Sequence, residues 1–130
     1  MSLILTTPTN PGTAAWAEGS SAALAQQVVS MAADATIAPT DSTSYYAATT
    51  GSQVDIAVSA PEFAGQVISV FFATDGGQDV VLTFPAAINA AGNTIVTLND
   101  AGDSLVVLAV ATGASSLRWV LLLNNGGALS

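Results

Sequence analysis

The sequence contains no cysteine, no histidine and no lysine, and Arg118 is its only basic residue. Without histidine or cysteine, the chain lacks the usual general base, the thiolate nucleophile and the softer ligands of zinc, copper and iron. Without lysine it forms no Schiff base. We therefore expect a protein that is not an enzyme and that holds neither a metal nor a cofactor. Disulfide bonds are excluded too, so the core or an oligomer must supply the stability.

Charge of either sign is scarce. Charged residues make up 8% of the chain, against about 25% in an ordinary globular protein. The nine acids outnumber the one base, which gives a net charge of −8. A single arginine cannot neutralise a phosphate backbone, so we expect no nucleic-acid partner. Because 51% of the residues are hydrophobic, a monomer would have little charge to keep it in solution.

Long hydrophobic runs are also absent. No stretch approaches the roughly 18 to 20 consecutive apolar residues that a membrane-spanning helix needs. Residues 1–7 have a short apolar stretch but no positive side chain before it, unlike a signal peptide. We expect a chain without a signal peptide and without a membrane span.

The first fifty residues differ in composition from the rest, because prolines and glycines interrupt stretches of small residues there. Two prolines and a glycine between Thr7 and Thr13 disfavour a continuous helix and remove ladder donors, which predicts an extended arm over residues 1–19. Residues 20–50 are interpreted as a connecting segment and residues 51–130 as the folded core. Within 21–33, apolar residues at helical spacing (Leu24, Val28 and Met31) allow one short helix.

Short apolar runs separated by turn residues predict strands in the second part of the chain. In 53–59, for example, Val54, Ile56 and Val58 share one face, as expected of a half-buried strand. The six predicted strands are residues 53–59, 66–73, 79–84, 94–98, 104–111 and 117–123, and two more are indicated around 35–38 and 44–48. This pattern predicts an all-β fold, an antiparallel β-sandwich or barrel.

The last two predicted strands are apolar on both faces. In 104–111, Leu105, Val107 and Ala109 alternate with a second apolar set, Val106, Leu108 and Val110. One face can fill the core, and the other needs cover from a loop or from another subunit. We therefore expect a homo-oligomer. Leu82 and Leu108 are both taken as core positions.

Two pairs of carboxylates are the main candidates for catalysis, Asp75 with Asp79 and Asp100 with Asp103. Paired carboxylates can cleave glycosides as acid and base or offer oxygen ligands to calcium, although neither segment has the ligand series of an EF-hand. Both pairs fall at predicted turns, where aspartate is favoured because it bonds nearby backbone amides. The turn interpretation is therefore preferred.

The aromatic residues and Arg118 have two interpretations each. Trp16, Tyr45, Tyr46 and Trp119 could line a sugar-binding surface, but Tyr45 and Tyr46 point to opposite faces of a strand, which favours packing in the core or an interface. Arg118 either pairs with an acid across a subunit boundary or faces solvent.

The N-terminal arm carries the predicted partner-binding residues. Leu3, Ile4 and Leu5 form a compact apolar segment, and Trp16 supplies a large anchor. An extended peptide of this kind can add to a partner's sheet edge, where main-chain hydrogen bonds give affinity without charge. The alternative is that residues 3–5 form an edge strand of their own domain.

Five segments of the C-terminal part resemble a known class of proteins: VVLTFP at 80–85, GNTIVTL at 92–98, DAGDSLVVL at 100–108, RWV at 118–120 and NNG at 124–126. Together they resemble small β-rich structural proteins of tailed bacteriophages, among them head decoration (cement) proteins. The resemblance covers roughly residues 50–130. Related stretches also occur in phage tail and fibre proteins.

The resemblance implies a non-enzymatic binding module, usually trimeric, that clamps neighbouring subunits of the major capsid protein. The acidic balance disfavours contact with packaged DNA, so the outer capsid surface is the expected location. The main alternative is a carbohydrate- or receptor-binding tail module, and a third is a glycosidase.

Overall fold

A computed structural model describes residues 28–130, and these residues form ten β-strands and no helix. The strands are β1 (Val28–Met31), β2 (Ala35–Ile37), β3 (Thr43–Thr49), β4 (Val54–Val58), β5 (Val67–Thr74), β6 (Val80–Thr83), β7 (Ile95–Leu98), β8 (Ser104–Gly113), β9 (Ser116–Asn125) and β10 (Ala128–Leu129). The all-β prediction is confirmed. All six strands predicted after residue 51 are present, with bounds that differ by a few residues at most.

The strands form two five-stranded sheets. The first sheet has the order β1-β3-β5-β8-β9, and the second has the order β10-β7-β6-β4-β2. A single cluster of buried apolar side chains contains residues from both sheets, which is the arrangement of a β-sandwich. The sheets do not close into a barrel, so of the two predicted architectures the structure supports the sandwich.

The direction of pairing differs from the predicted antiparallel arrangement. From β1 to β6 the chain alternates between the sheets, so that β1, β3 and β5 pair in parallel in one sheet and β2, β4 and β6 in the other. The remaining four pairings, which include the β6–β7 and β8–β9 hairpins, are antiparallel. Alternation of apolar and polar residues shows which side chains face inward but is the same for both directions, so the sequence pattern could not separate them.

The core begins before Gly51, the residue at which the sequence placed its start. Met31, Ile37, Tyr46 and Ala48 are buried and belong to β1, β2 and β3. The strands indicated around 35–38 and 44–48 are therefore confirmed, and residues 28–50 are part of the sandwich rather than a connection. The helix predicted within 21–33 is wrong for 28–31, which form β1; its first residues lie outside the described part of the chain, as does the arm at 1–19.

Because β3 and β5 are parallel neighbours in one sheet, the turn after β3 lies against the turn after β5. The buried Thr50 hydroxyl donates a hydrogen bond to the Gln78 carbonyl (2.9 Å) and accepts one from the Gly76 amide (3.1 Å). A Cβ atom added to Gly76 would collide with the Thr50 carbonyl oxygen, whereas one added to Gly51 would meet open space. Gly76 is therefore required for the close approach of the two turns.

We expect Gly76→Ala to lower the free energy of unfolding by about 1–3 kcal/mol, because the added methyl group must displace backbone atoms. Gly51→Ala is the matched control in the neighbouring turn and should change the same quantity by less than about 1 kcal/mol. Urea denaturation of the two variants measures the difference. Equal midpoints for both would show that the turns are not stacked in this way.

Candidate functional site

The outward side of the first sheet carries a group of apolar side chains, as its inward side does. Along β8, Leu105, Val107 and Ala109 are buried in the core. Val106, Leu108 and Val110 alternate with them and are only partly buried. The prediction that this strand has two apolar faces is confirmed, but Leu108 belongs to the outward set and not to the core. The sequence pattern gave two equivalent sets and could not tell which one faced inward.

Strand register places further apolar side chains beside this outward set. Leu108 lies between Val67 of β5 and Val120 of β9, and Val106 lies beside Leu123. Phe71 and Leu123 expose 36% and 52% of their surface. We call the resulting surface the outer apolar face; its apolar members are Val67, Phe71, Val106, Leu108, Val110, Val120 and Leu123, and Ser69 and Ser104 lie among them.

Charge is almost absent from the first sheet. Its five strands contain one charged residue, Arg118, which is exposed at the edge strand β9 and pairs with Val110. Seven of the eight acids in the described part lie in turns and loops, and the eighth, Asp55, lies in β4 of the second sheet. The outer apolar face is thus an uncharged area within a strongly acidic molecule.

The acids lie at both ends of the sandwich. The turns after β1, β3 and β5 meet at one end because these strands are parallel, and β8 begins at the same end. That end carries Asp34, Asp75, Asp79, Asp100 and Asp103. The opposite end carries Asp41 and Glu62 in the loops before β3 and β5, and it also holds Arg118 near the β8–β9 turn.

Two of the candidate catalytic carboxylates accept hydrogen bonds from backbone amides in their own turns. The Asp75 carboxylate accepts a hydrogen bond from the Gly77 amide (2.6 Å), and the Asp103 carboxylate accepts bonds from the amides of Asn99 and Asp100 (2.9 and 3.1 Å). The turn interpretation is confirmed for both residues. Among the described residues, no group of three or more carboxylates is close enough to hold a metal ion.

Tyr45, Tyr46 and Trp119, the sugar-binding candidates in the described part of the chain, do not form an exposed platform. Tyr46 and Trp119 are buried, with 9% and 1% of their surfaces exposed, and the Trp119 indole N–H donates a hydrogen bond to the Ser59 carbonyl (2.8 Å). Tyr45 points outward from β3 and is partly buried. The prediction that Tyr45 and Tyr46 occupy opposite faces is confirmed, as is core packing for Trp119.

Gln66 is a buried polar residue that the sequence pattern did not single out. Its side-chain amide donates hydrogen bonds to the carbonyls of Pro39 (2.8 Å) and Asp41 (3.1 Å), while its side-chain oxygen accepts one from the Glu62 amide (3.0 Å). The side chain therefore fixes the loops before β3 and β5 at the end of the sandwich that holds Arg118. Glutamine at a strand start gives no sequence signal for such a role.

We expect Gln66→Met to lower the free energy of unfolding by about 2–4 kcal/mol, because a side chain of similar size would leave the buried Pro39 carbonyl, and the partly buried Asp41 carbonyl and Glu62 backbone amide, without these partners. The exposed Gln78→Met is the control and should have little effect. Thermal melts followed by circular dichroism compare the two, and equal melting temperatures would contradict the role assigned to Gln66.

A shallow, open depression of about 400 Å³ lies on the second sheet. Its lining residues are Asp34, Ala35, Thr36, Asp55, Ile56, Ala57 and Thr83. The Asp34 carboxylate accepts a hydrogen bond from the Asp55 amide (2.8 Å). No aromatic and no basic side chain lines it, so the depression offers hydroxyl and carboxylate groups but no stacking surface.

The predicted partner-binding residues Leu3, Ile4, Leu5 and Trp16 lie outside the described part of the chain. The structure therefore neither brings them together nor separates them. Within residues 28–130, no helix is long and apolar enough to cross a membrane. A scan of protein-family models and a search of curated proteins each return no match to this chain.

Proposed function

We propose that this chain is a non-enzymatic structural protein of a bacteriophage virion, specifically a decoration protein that binds the outer capsid surface and stabilises the head. The resemblance of residues 50–130 to such proteins supports the proposal. The composition supports it as well, because a chain with one base and no histidine or cysteine is poorly equipped for catalysis.

The outer apolar face is the observation on which the proposal depends. Monomeric proteins rarely expose a large contiguous apolar patch, and such patches mark interaction sites. Here seven apolar side chains, with only the uncharged Ser69 and Ser104 among them, share the outward side of one sheet, and a single charge lies at the edge. A sandwich with such a face is suited to contacts between protein subunits, such as those in an assembly of decoration proteins on a capsid.

The N-terminal arm is the proposed attachment to the major capsid protein. Leu3, Ile4, Leu5 and Trp16 give it apolar side chains, and an extended segment can add to the edge of a capsid-protein sheet through main-chain hydrogen bonds. Residues 1–27 contain one acid and no base, so this attachment would depend little on salt concentration.

Deletion of residues 2–12 tests this attachment. We expect the shortened protein to keep the melting temperature of the full chain and to lose binding to undecorated capsids in a co-sedimentation assay. A deletion that lowers stability together with binding would indicate an edge strand of the chain's own domain. Binding that survives the deletion would also contradict the role of the arm.

The alternative function is that of a carbohydrate- or receptor-binding tail module. The depression on the second sheet favours it, since Asp34, Asp55, Thr36 and Thr83 present oxygen atoms that can accept hydrogen bonds from sugar hydroxyl groups. Screening of the protein on a glycan array, with Asp55→Ala as control, tests this alternative. Binding to a glycan that Asp55→Ala abolishes would favour the tail module over the decoration protein.

A further inference from the structure

We propose that the outer apolar face is the surface through which copies of this chain contact one another. The inference rests on the proposed function and adds to it the partner of that face: a second copy of the chain rather than the capsid. In this arrangement the face assembles the oligomer, and the arm attaches the oligomer to the head.

The size of the face suits such a contact. Strands β3, β5, β8 and β9 lie side by side at a spacing of about 4.8 Å, so they span about 19 Å, and the ten residues of β8 extend about 33 Å. The outward side of these four strands, which includes the outer apolar face and the outward Tyr45 and Ala47 of β3, therefore covers about 600 Å². Two such sheet sides in contact would bury about 1,200 Å², which is at the lower end of the range for specific protein interfaces.

The distribution of charge favours a second copy over a charged partner. A basic partner would find no carboxylate on the face, and an acidic partner would find only Arg118 at its edge. A second copy places an uncharged face against an uncharged face. The acids of both copies remain in the turns at the ends of the sandwiches, where water and salt can screen them.

Arg118 adds charge complementarity to this contact. Because both ends of the sandwich carry acids, stacking two first sheets face to face brings each Arg118 toward an acidic end of the neighbouring copy, whichever way the strands run. At one end the nearest acids are in the turns around β8, and at the other they are Asp41 and Glu62. The only basic side chain of the sequence thus lies at the border of a face that carries no acid.

The outward side of the second sheet has no comparable group of apolar side chains. Its strands present Thr36, Asp55, Thr83 and Thr97 outward, with Val81 and Ile95 as isolated apolar neighbours. A mixed polar face of this kind is what a solvent-exposed side of a sandwich normally shows. It provides a control surface on the same molecule.

Light scattering coupled to size-exclusion chromatography tests the inference on the full chain. At micromolar concentration we expect a mass of two or more 12.9 kDa chains, with the copy number given directly by the mass. Leu108→Lys should shift the protein to the monomer mass, because a charge would be buried between two apolar faces. Val81→Lys, an outward apolar position of the second sheet, should leave the mass unchanged.

A second variant of the outer apolar face covers the case in which the first one does not fold. Leu123→Lys, at a position with 52% exposure, should also give a monomer, and it replaces Leu108→Lys if circular dichroism shows that variant to be unfolded. A monomeric wild type, or folded face variants with the wild-type mass, would overturn the inference. A chain that becomes oligomeric only after deletion of residues 2–12 would identify its own arm as the cover and overturn it too. Capsid binding by a monomeric wild type would overturn the inference but leave the decoration function intact.

Discussion

Leu82→Asp is expected to prevent folding, whereas Leu108→Asp is expected to leave the protein folded. The Leu82 side chain is fully buried in β6, and an isolated carboxylate there loses its hydration with no cationic partner nearby. The cost after relaxation is several kcal/mol, comparable to the 5–15 kcal/mol that stabilises a typical domain. Leu108 points outward, so a carboxylate there stays in contact with water in the isolated chain.

Far-ultraviolet circular dichroism and thermal melts of the two variants measure this difference. Val107→Asp gives the closest comparison, because Val107 is adjacent to Leu108 but buried; it should behave like Leu82→Asp. Asp75→Asn, on an exposed turn, should have a mild effect because an amide oxygen can still accept the Gly77 hydrogen bond. Similar losses for Val107→Asp and Leu108→Asp would contradict the assignment of the two faces of β8.

Trp119→Ala should lower the free energy of unfolding by about 3–5 kcal/mol. Trp119 is the largest fully buried side chain among residues 28–130, so its removal leaves a cavity that the surrounding sheets can only partly fill. Its indole N–H also bonds the Ser59 carbonyl just after β4 and so links the first sheet to the second. Loss of that bond leaves the carbonyl without this partner and adds to the cost.

Urea denaturation measures this loss, and two variants separate its causes. Trp119→Phe keeps most of the volume but removes the hydrogen bond, so it should cost less than Trp119→Ala but more than about 1 kcal/mol. Tyr45→Ala removes an aromatic side chain from the outward side of β3 and should be milder than either. A Trp119→Ala variant as stable as Tyr45→Ala would show that Trp119 does not join the two sheets.

Strand positions could be predicted because a half-buried strand leaves a strong local signal. Val54, Ile56 and Val58 alternate with polar or small residues, and all three are buried in β4. The direction of pairing left no such local signal, because the alternation is the same in parallel and antiparallel strands. The parallel contacts of β4 with β2 and β6 join residues far apart in sequence. β1 was missed for a different reason: Val28 and Met31 fit helical spacing as well as a short edge strand.

The candidate site was predictable in part. The apolar character of both faces of β8 and β9 is visible in the sequence, and it indicates a surface that needs cover. Which of the two faces lies inward depends on register with β5, where Leu108 pairs with Val67 and Val107 with Ile68. Gln66 could not be found, because its three partners lie on two loops that only the fold brings together.

A cryo-electron-microscopy reconstruction of heads that carry this protein tests the central claim most directly. The account predicts density for the β-sandwich on the outer capsid surface, with the outer apolar faces of neighbouring copies turned toward each other and the arms running onto the major capsid protein. Density for the sandwich at the tail, or on the inner capsid surface beside the packaged DNA, would contradict it.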